Sequence, residues 1–305
     1  MLRSLRLFAF PAFFILAAYL NAAPCGAPVV NPDADPLTGR INVGLNGKNF
    51  TVFGASGFSS TYTNDTFTGP SFVQGNIGIG PNGTFSWSDG TIDGDVYMDG
   101  SGGFTMSGPA HFTAGHMVKY NQHAGLSSAF TDYQNLSSAA ASDPCTNNYT
   151  VNGTPTILTN VNITNVSQSM SLAPIGSPNQ KIVLNLSNFT MSSGTFTLEG
   201  TATTTYIINV AKNFSLNNAK ILLADLSGNI YNGANPSSTY TGVMPSNVLF
   251  NIRSSGIQVS LNQGTQMSGI LLALNDKIDL SGGKVYGRAL GGQVNITSGG
   301  QVISR

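Results

Sequence analysis

The densest group of ionisable side chains in the sequence is a set of four aspartates, Asp89, Asp93, Asp95 and Asp99. Asp93 and Asp95 are two residues apart, which would place both carboxylates on the same side of a β-strand. Such a pair could bind Ca²⁺ or act as a general acid and base. However, Asp89, Asp93 and Asp99 each precede a glycine, and Asp-Gly is a turn dipeptide. The turn interpretation is favoured, so we expect neither a catalytic carboxylate pair nor a cation site here.

The other residues that could carry chemistry do not form a recognisable site. The histidines His111, His116 and His123 lack metal-site spacing, and no cysteine lies within a short motif distance of them. There is no GxSxG motif for a nucleophile elbow, and no helix is expected after the glycines of residues 75–80, as a phosphate-binding loop requires. We therefore expect no catalytic residue, no metal and no cofactor, and predict that the protein is not an enzyme.

The first residues have the composition of a secretory signal peptide. Arg3 and Arg6 form a basic start, residues 7–20 are apolar, and small residues close the segment at Ala23. The apolar run is shorter than the ~20 residues that a membrane-spanning helix needs. We predict a signal peptide over residues 1–23, a Pro-rich lead-in over 24–40 and a single domain over 41–305. The mature chain would be secreted or held at the cell surface, without a membrane span.

The two cysteines, Cys25 and Cys145, bear on the same question of export. An even number of cysteines in an exported protein indicates a disulfide, because free thiols are reactive outside the cell. We predict one bridge between Cys25 and Cys145. The alternative is a pair of unbonded thiols.

The charge balance excludes two classes of partner. Only 9% of the residues are charged, and the 13 Lys+Arg balance the 13 Asp+Glu. Binding to nucleic acid or to an anionic membrane needs a basic surface, so neither partner is expected. The polar surface must instead come from Ser, Thr, Asn and Gly.

A short module recurs along the chain and predicts the fold. It reads Ile278-x-Leu280-Ser-x-Gly283-x-Val285, and the same spacing starts at Phe85 and Phe189, with Ala in the Gly position of the copy at Phe214. Alternating apolar residues indicate strands, and the glycine suits a sharp corner between them. In the C-terminal part, modules start roughly 16–19 residues apart, about one turn of a three-sided β-solenoid (β-helix). The alternative is an antiparallel sandwich.

One stretch without Gly or Pro departs from this pattern. Over residues 126–141 the apolar side chains lie at helical spacing, and Asp143-Pro144 ends the run. The stripe consists of Leu126, Phe130, Tyr133, Leu136 and Ala140. The sequence predicts one long helix that packs alongside the solenoid, and a partner-binding helix is the less favoured alternative.

The order of these parts resembles a known family. The residues that carry the resemblance are Phe50-Thr-Val-Phe-Gly54, Gly75-Asn-Ile-Gly-Ile-Gly80, Ser128-Ala-Phe-Thr-Asp-Tyr133, Asn247-Val-Leu-Phe-Asn-Ile252, Gly269-Ile-Leu-Leu-Ala273 and Val285-Tyr-Gly-Arg-Ala-Leu290. Together they are similar to the bacterial ice-binding-like family and to secreted choice-of-anchor A domains. The resemblance implies a mostly β fold, a discontinuous three-sided β-solenoid with one helix alongside. It also implies that ice-active members present a flat face of short Thr, Ala and Asn motifs.

Threonines are the candidate residues for such a face, because Thr offers a methyl and a hydroxyl in a stiff rotamer. The candidate ligand face consists of Thr195, Thr197, Thr201, Thr203 and Thr205, and Thr66-Phe-Thr68 and Asn162-Ile-Thr164 are further motifs. These motifs do not recur at the coil period, and Thr is also a common strand residue. The first expectation is therefore a non-enzymatic extracellular module for adhesion, matrix or carbohydrate contact, and ice binding is the alternative.

The expected partners are an extracellular polysaccharide, a surface protein or ice. Exposed aromatic side chains, with Trp87 and Tyr97 as candidates, would favour sugar stacking, although the module register places Trp87 in the core. A ladder of outward Thr, Asn and Ala residues on stacked coils would favour ice.

Overall fold

The computed structural model describes residues 34–35, 40–41, 50–55, 64–100, 103–143, 149–155, 158–176, 181–231 and 239–304. The predicted signal peptide and both cysteines lie outside the described residues, so the signal peptide and the disulfide stay predictions. The described residues at the end of the predicted lead-in form a two-residue antiparallel pair, in which Ala34 is opposite Ile41.

Strands dominate the described chain, as the repeated module predicts. The strands before the helix are β1 (Ala34–Asp35), β2 (Arg40–Ile41), β3 (Phe50–Gly54), β4 (Asn64–Phe67), β5 (Phe72–Gln74), β6 (Asn76–Ile79), β7 (Thr84–Trp87), β8 (Thr91–Asp93), β9 (Val96–Met98), β10 (Phe104–Met106), β11 (His111–Phe112) and β12 (Val118–Lys119). The helix α1 (His123–Ser142) follows.

The strands after the helix are β13 (Tyr149–Val151), β14 (Thr154–Pro155), β15 (Asn160–Ile163), β16 (Ser169–Pro174), β17 (Lys181–Leu186), β18 (Asn188–Met191), β19 (Thr195–Glu199), β20 (Thr205–Val210), β21 (Phe214–Leu216), β22 (Lys220–Ala224), β23 (Ile230–Tyr231), β24 (Val248–Ile252), β25 (Gln258–Asn262), β26 (Gln266–Ser281), β27 (Lys284–Thr297) and β28 (Gln301–Ile303). A 3₁₀ turn, Pro245–Asn247, precedes β24.

Most strands pair in parallel with the strand of the next coil, and the pairs form three ladders. The helix ladder runs through β17, β20, β24, the middle of β26 and β27, β3, β6, β9 and β12. The polar ladder runs through β15, β18, β21, β25, the ends of β26 and β27, β4, β7 and β10. The third ladder runs through β16, β19, β22, the starts of β26 and β27, β28, β5, β8 and β11.

The stack of coils does not follow the order of the chain. The C-terminal β27 pairs with β3 and β4, so that Leu290 lies beside Phe53, and β28 pairs with β5. The coils of residues 50–119 therefore continue the stack that residues 158–303 build, and α1 connects one end of the stack to the other. A helix of 20 residues is about 30 Å long, which spans about six coils at ~4.8 Å each.

The core lies between the ladders and consists of side chains at alternate strand positions. In β18, Phe189 and Met191 are buried whereas Asn188 and Thr190 face outward. Phe189 is in register with Phe214 of the next coil, and their rings stack with centroids 5.3 Å apart. The repeated module is thus the repeating rung of the stack. Trp87 is a core residue, as the module register predicts.

Two glycines shape the corner between the third ladder and the helix ladder. Gly269 and Gly287 are in register in consecutive coils, and both have positive φ values, 139° and 141°. A Cβ on Gly287 would collide with the carbonyl oxygen of Gly269. The corner therefore needs glycine both for the backbone conformation and for the close approach of the two coils.

The helix α1 begins three residues before the predicted start at Leu126 and ends one residue after the predicted end. Gly125 and His123 have low helix propensity, which hid this first turn from the sequence pattern. All five residues of the predicted apolar stripe are buried. They pack on outward residues of the helix ladder, and the ring centroids of Tyr133 and Phe53 are 5.1 Å apart. Within the described ranges, no helix has the length and apolarity to cross a membrane.

Candidate functional site

The outward side of the polar ladder carries rows of polar side chains in register from coil to coil. The middle row consists of Asn162, Thr190, Ser215, Ser260, Asp279, Asn295, Thr66, Ser86 and Thr105. Two residues further along each strand lie Thr164, Ser192, Asn217, Asn262, Ser281, Thr297, Thr68, Ser88 and Ser107. Two residues earlier lie Asn160, Asn188, Asn213, Gln258, Lys277, Gln293 and Thr84. We call these residues the polar face.

The repeated module itself places these side chains outward. In Phe85-Ser86-Trp87-Ser88 the two aromatic residues point into the core, and the two serines between and after them belong to the polar face. Two of the three rows of the polar face are therefore the second and fourth positions of the module. The sequence contained this signal, but a search for Thr alone overlooks rows in which Ser, Asn and Thr alternate from coil to coil.

The rows form a regular two-dimensional array. Successive coils are ~4.8 Å apart, and neighbouring rows are ~6.6 Å apart because outward residues alternate along a strand with a rise of ~3.3 Å. Hydrogen bonds between coils hold part of the array in place. Nδ2 of Asn188 donates to Oδ1 of Asn160 at 3.2 Å, and Nδ2 of Asn213 donates to Oδ1 of Asn188 at 3.2 Å.

The polar face is almost uncharged. Lys277 and Asp279 are the two charged residues among its members, and Lys277 Nζ lies 3.6 Å from Asp279 Oδ2. Nε2 of Gln258 in the preceding coil donates to the same carboxylate oxygen at 3.0 Å. The pair has no net charge, so the face can meet an uncharged surface without leaving an unpaired ion against it.

The five threonines of the predicted ligand face do not lie together. Thr195 and Thr197 are outward residues of β19 in the third ladder. Thr201 and Thr203 lie in the turn before β20, where their hydroxyl oxygens are 3.0 Å apart. Thr205 is 1% exposed and begins β20 of the helix ladder, on the same side of the strand as Ile207 and Asn209. The segment turns a corner between Glu199 and Thr205, so neighbours in the sequence reach different sides of the stack.

The other two threonine motifs do lie on one surface. Thr66 and Thr68 and the pair Asn162 and Thr164 are all members of the polar face, although 94 residues and the helix separate the two motifs in sequence. The discontinuous stacking brings them into the same rows. A sequence reading that counts coils in chain order cannot place them in register.

The two central aspartates of the acidic stretch do not share a strand. Asp93 ends β8 in the third ladder, Gly94 forms the corner, and Asp95 precedes β9 in the helix ladder. His116 contacts both, with Nε2 3.7 Å from Asp93 Oδ1 and Nδ1 3.4 Å from Asp95 Oδ1. The same-strand geometry that a carboxylate pair would need does not form, because the corner at Gly94 intervenes. Among the described residues, no group of three or more His, Cys, Asp and Glu side chains could hold a metal ion.

The environment of Asp95 is that of a structural ion pair. Lys119 Nζ donates to Asp95 Oδ2 at 2.7 Å, and the backbone N–H of Met117 donates to Oδ1 at 3.2 Å. Burial alone would raise the pKa of Asp95, but these hydrogen bonds and the charge of Lys119 together hold its pKa below its ordinary value. The carboxylate is thus fixed in its ionised form and ties the last coil to the one before it.

The aromatic residues considered for sugar stacking are buried. Trp87 is 1% exposed and Tyr97 is 4% exposed. Tyr120 is the exposed aromatic side chain within the part of the chain that the structure describes, and it follows β12 rather than lying on the polar face. Ring stacking on a sugar is therefore not what the polar face offers.

Several solved structures to which the chain is similar are described as ice-binding proteins from Antarctic or Arctic sources. The chain is similar to an ice-binding protein of the Antarctic ascomycete Antarctomyces psychrotrophicus, with 13% identity, a TM-score of 0.47, and coverage of 88% of this chain and 97% of that one. It is also similar to a glycosylated ice-binding protein from an Arctic yeast, with 14% identity, a TM-score of 0.46, and coverage of 84% and 91%.

An ice-binding protein of an Antarctic Flavobacteriaceae bacterium has 18% identity and a TM-score of 0.47, and the match covers 89% of this chain but 46% of that one. No curated protein matches the chain. Family membership rests instead on a family model, that of the ice-binding-like adhesive domain, which matches residues 35–303. With most of its length inside that match, the chain belongs to the ice-binding-like adhesive domain family.

Proposed function

We propose that the protein is an extracellular, non-enzymatic adhesive domain whose polar face binds an ordered, uncharged, hydrogen-bonding surface, with ice as the first candidate. The observation that carries the proposal is the set of hydroxyl and amide rows in register over consecutive coils. Membership of a family described as ice-binding-like and adhesive supports it.

The chemistry of the polar face suits an ordered array of water. Hydroxyl and amide groups both donate and accept hydrogen bonds, so each row can donate to the facing water molecules or accept from them. Few charges need to be desolvated when a neutral surface approaches. The rows are held by a parallel ladder of backbone hydrogen bonds, which reduces the entropy lost on binding.

The order of the two hypotheses changes with the structure. The sequence favoured adhesion or carbohydrate contact because the threonine motifs do not recur at the coil period. In the stack the Ser, Asn and Thr positions do recur, which puts ice first. Ser and Asn outnumber Thr in the rows and lack its methyl group. We therefore expect weaker ice adsorption than a face made of Thr alone would give.

The test is inhibition of ice recrystallisation by the chain without residues 1–23. We expect inhibition at micromolar protein for the parent, and its loss in the double variant Ser215→Tyr/Ser260→Tyr, which adds two rings to the middle row. The matched control is Thr195→Tyr/Thr197→Tyr, which adds the same rings to the third ladder. Circular dichroism shows whether each variant is folded.

Two outcomes contradict ice binding by the polar face. If the folded parent does not inhibit recrystallisation, ice is excluded and adhesion to another extracellular surface becomes the leading function. If the two tyrosine variants lose activity equally, the ice-contacting surface is not the polar face.

A further inference from the structure

A hollow of about 360 Å³ opens within the polar face, toward the end of the stack that begins with β15. Four consecutive coils line it, through Asn162, Thr190 and Ser215 of the middle row and Asn217 and Asn262 of the next row. Met191, which is 2% exposed, contributes to the lining from the core side. The far half of the polar face, around Ser86 and Thr105, does not line this hollow.

The hollow holds hydrogen-bonding groups that the protein itself does not use. Thr190 Oγ1 donates to Asn162 Oδ1 at 3.4 Å, which leaves the Asn162 amide N–H groups for another acceptor. The side chains of Ser215, Asn217 and Asn262 make no hydrogen bond to any other described residue. Two carboxamides and a hydroxyl therefore lie around one concavity with both donor and acceptor capacity.

The lining also restricts the kind of ligand. No ionisable side chain lines the hollow, so nothing there would balance the charge of an anion or a cation. The volume lies at the small end of the ~300–1,000 Å³ range of small-molecule sites. Asn and Ser groups with unused donors and acceptors match a molecule with many hydroxyls. The hollow is open to solvent, so a saccharide ring on a flexible chain could enter it.

We propose that this hollow binds a neutral saccharide unit of an extracellular polysaccharide. This site is distinct from the proposed ice contact. Ice would adsorb to the whole polar face, whereas the saccharide would bind in one hollow of that face. The ligand class is set by uncharged amide and hydroxyl groups. Ring stacking contributes little, since no aromatic side chain lines the hollow.

The experiment is calorimetric titration of the chain without residues 1–23 with four hexasaccharides. Cellohexaose, mannohexaose and N-acetylchitohexaose are neutral, and hexagalacturonate is the acidic comparison. We expect at least one neutral hexasaccharide to bind with a dissociation constant between about 10 µM and 1 mM, and hexagalacturonate to bind about tenfold more weakly or not at all.

The test variant is Asn217→Ala/Asn262→Ala, and the matched control is Ser86→Ala/Thr105→Ala in the far half of the same face. Saccharide affinity should fall about tenfold or more in the first and stay unchanged in the second. The proposal is overturned if no neutral hexasaccharide binds the folded parent, or if the two double variants lose affinity equally. Recrystallisation inhibition by a parent that binds no saccharide would defeat this proposal and leave the proposed function intact.

Discussion

Asn251 donates its side-chain amide to Oδ1 of Asn209, 2.8 Å away in the neighbouring coil. Asn209 in turn donates to Oδ1 of Asn185 at 3.0 Å and to the Ala140 carbonyl at 2.8 Å. Asn251 also donates to the Ser137 carbonyl at 2.9 Å, and Ser137 Oγ donates back to Asn251 Oδ1 at 2.7 Å. A row of asparagines under α1 thus couples three coils to the C-terminal half of the helix.

Replacement of Asn251 by Ala should loosen the helix from the stack. The variant removes three hydrogen bonds and leaves buried groups on Asn209 and Ser137 without partners, so we expect the free energy of unfolding to fall by about 2–4 kcal/mol. Chemical denaturation measures the loss, and amide hydrogen exchange should accelerate in residues 123–142. The control is Asn213→Ala, in the exposed row of Asn160, Asn188 and Asn213 on the polar face. It should change the free energy of unfolding by less than about 1 kcal/mol. Equal effects of the two variants would show that the buried row does not anchor the helix.

The Gly269–Gly287 corner makes a second prediction about stability. Gly287→Ala combines an unfavourable φ with a collision against the Gly269 carbonyl, so we expect a loss of more than about 3 kcal/mol or failure to fold. Gly256→Ala is the control, because Gly256 also has positive φ but has open space around a Cβ. Gly256→Ala should lower the free energy of unfolding by only about 1–2 kcal/mol, which is the cost of a positive φ for alanine. Thermal unfolding distinguishes the two, and equal melting temperatures would mean that close coil contact is unimportant at this corner.

The module and the helical stripe were sufficient to predict the type of fold. The spacing at Phe85, Phe189 and Ile278 repeats because each copy is one rung of the same ladder. The apolar stripe was readable because a helix buries residues at a fixed period. What local patterns could not show is that Leu290 would lie beside Phe53, since this contact joins distant parts of the chain. Only the family resemblance suggested a discontinuous stack, and the likeness to choice-of-anchor A domains stays a prediction.

The candidate site was less accessible to sequence reasoning for the same reason. Rows of a binding surface are defined across coils, and Thr66 meets Asn295 only through the pairing of β4 with β27. The segment from Thr195 to Thr205 looked like a site because its threonines are adjacent, but a corner sends them to different sides. Composition indicated uncharged hydroxyl and amide groups, the chemistry of the proposed polar face, but the segment from Thr195 to Thr205 lies on other sides of the stack.

Asp276 gives a prediction about pH. Its side chain is fully buried, and it accepts hydrogen bonds from the Ile257 N–H and from Ser254 Oγ, both at 2.9 Å. Burial raises the pKa of this carboxyl despite these bonds. A raised carboxyl pKa means that the folded state holds the proton more tightly than the unfolded state. The contribution of Asp276 to the free energy of unfolding is therefore most favourable below the ordinary pKa near 3.8. It is lost as the pH rises through the raised pKa of the folded state.

We therefore expect Asp276→Asn to be more stable than the parent at pH 7 and to lose that advantage toward pH 3. Melting temperatures of the parent and the variant across this range measure the difference. Ser254→Ala, which removes a bond to the carboxylate, should lower stability most at neutral pH. A parent that remains more stable than Asp276→Asn at pH 7 would refute the interpretation of the buried charge.

Asp95 should show the opposite dependence on pH. The pKa of Asp95 is held below its ordinary value in the folded state. Its contribution to the free energy of unfolding is therefore present above the pKa of the unfolded chain and is lost as the pH falls through the lowered pKa of the folded state. Asp95→Asn should destabilise by about 1 kcal/mol at pH 7, because Lys119 is partly exposed and solvent screens the pair. The difference from the parent should shrink below pH 4. Asp99→Asn, whose partner His123 is 64% exposed, is the matched control and should have a smaller effect. An Asp95→Asn defect that is the same at pH 3 and pH 7 would contradict the ion-pair role.

The last prediction concerns the two charged residues of the polar face. Lys277 and Asp279 interrupt rows that otherwise contain only Ser, Thr, Asn and Gln, and each keeps its own hydration shell in front of an approaching surface. In Lys277→Gln/Asp279→Asn the rows become uncharged throughout, while the Gln258 contact can persist to the new amide. Because fewer ions then need desolvation, we expect recrystallisation inhibition at about two- to tenfold lower protein concentration, with stability changed by less than about 1 kcal/mol. The control is Lys220→Gln/Glu199→Gln on the third ladder, which also removes one positive and one negative charge, but from a surface that ice does not contact in the proposed geometry. If the control improves inhibition as much as the test variant, total charge and not the polar face governs adsorption.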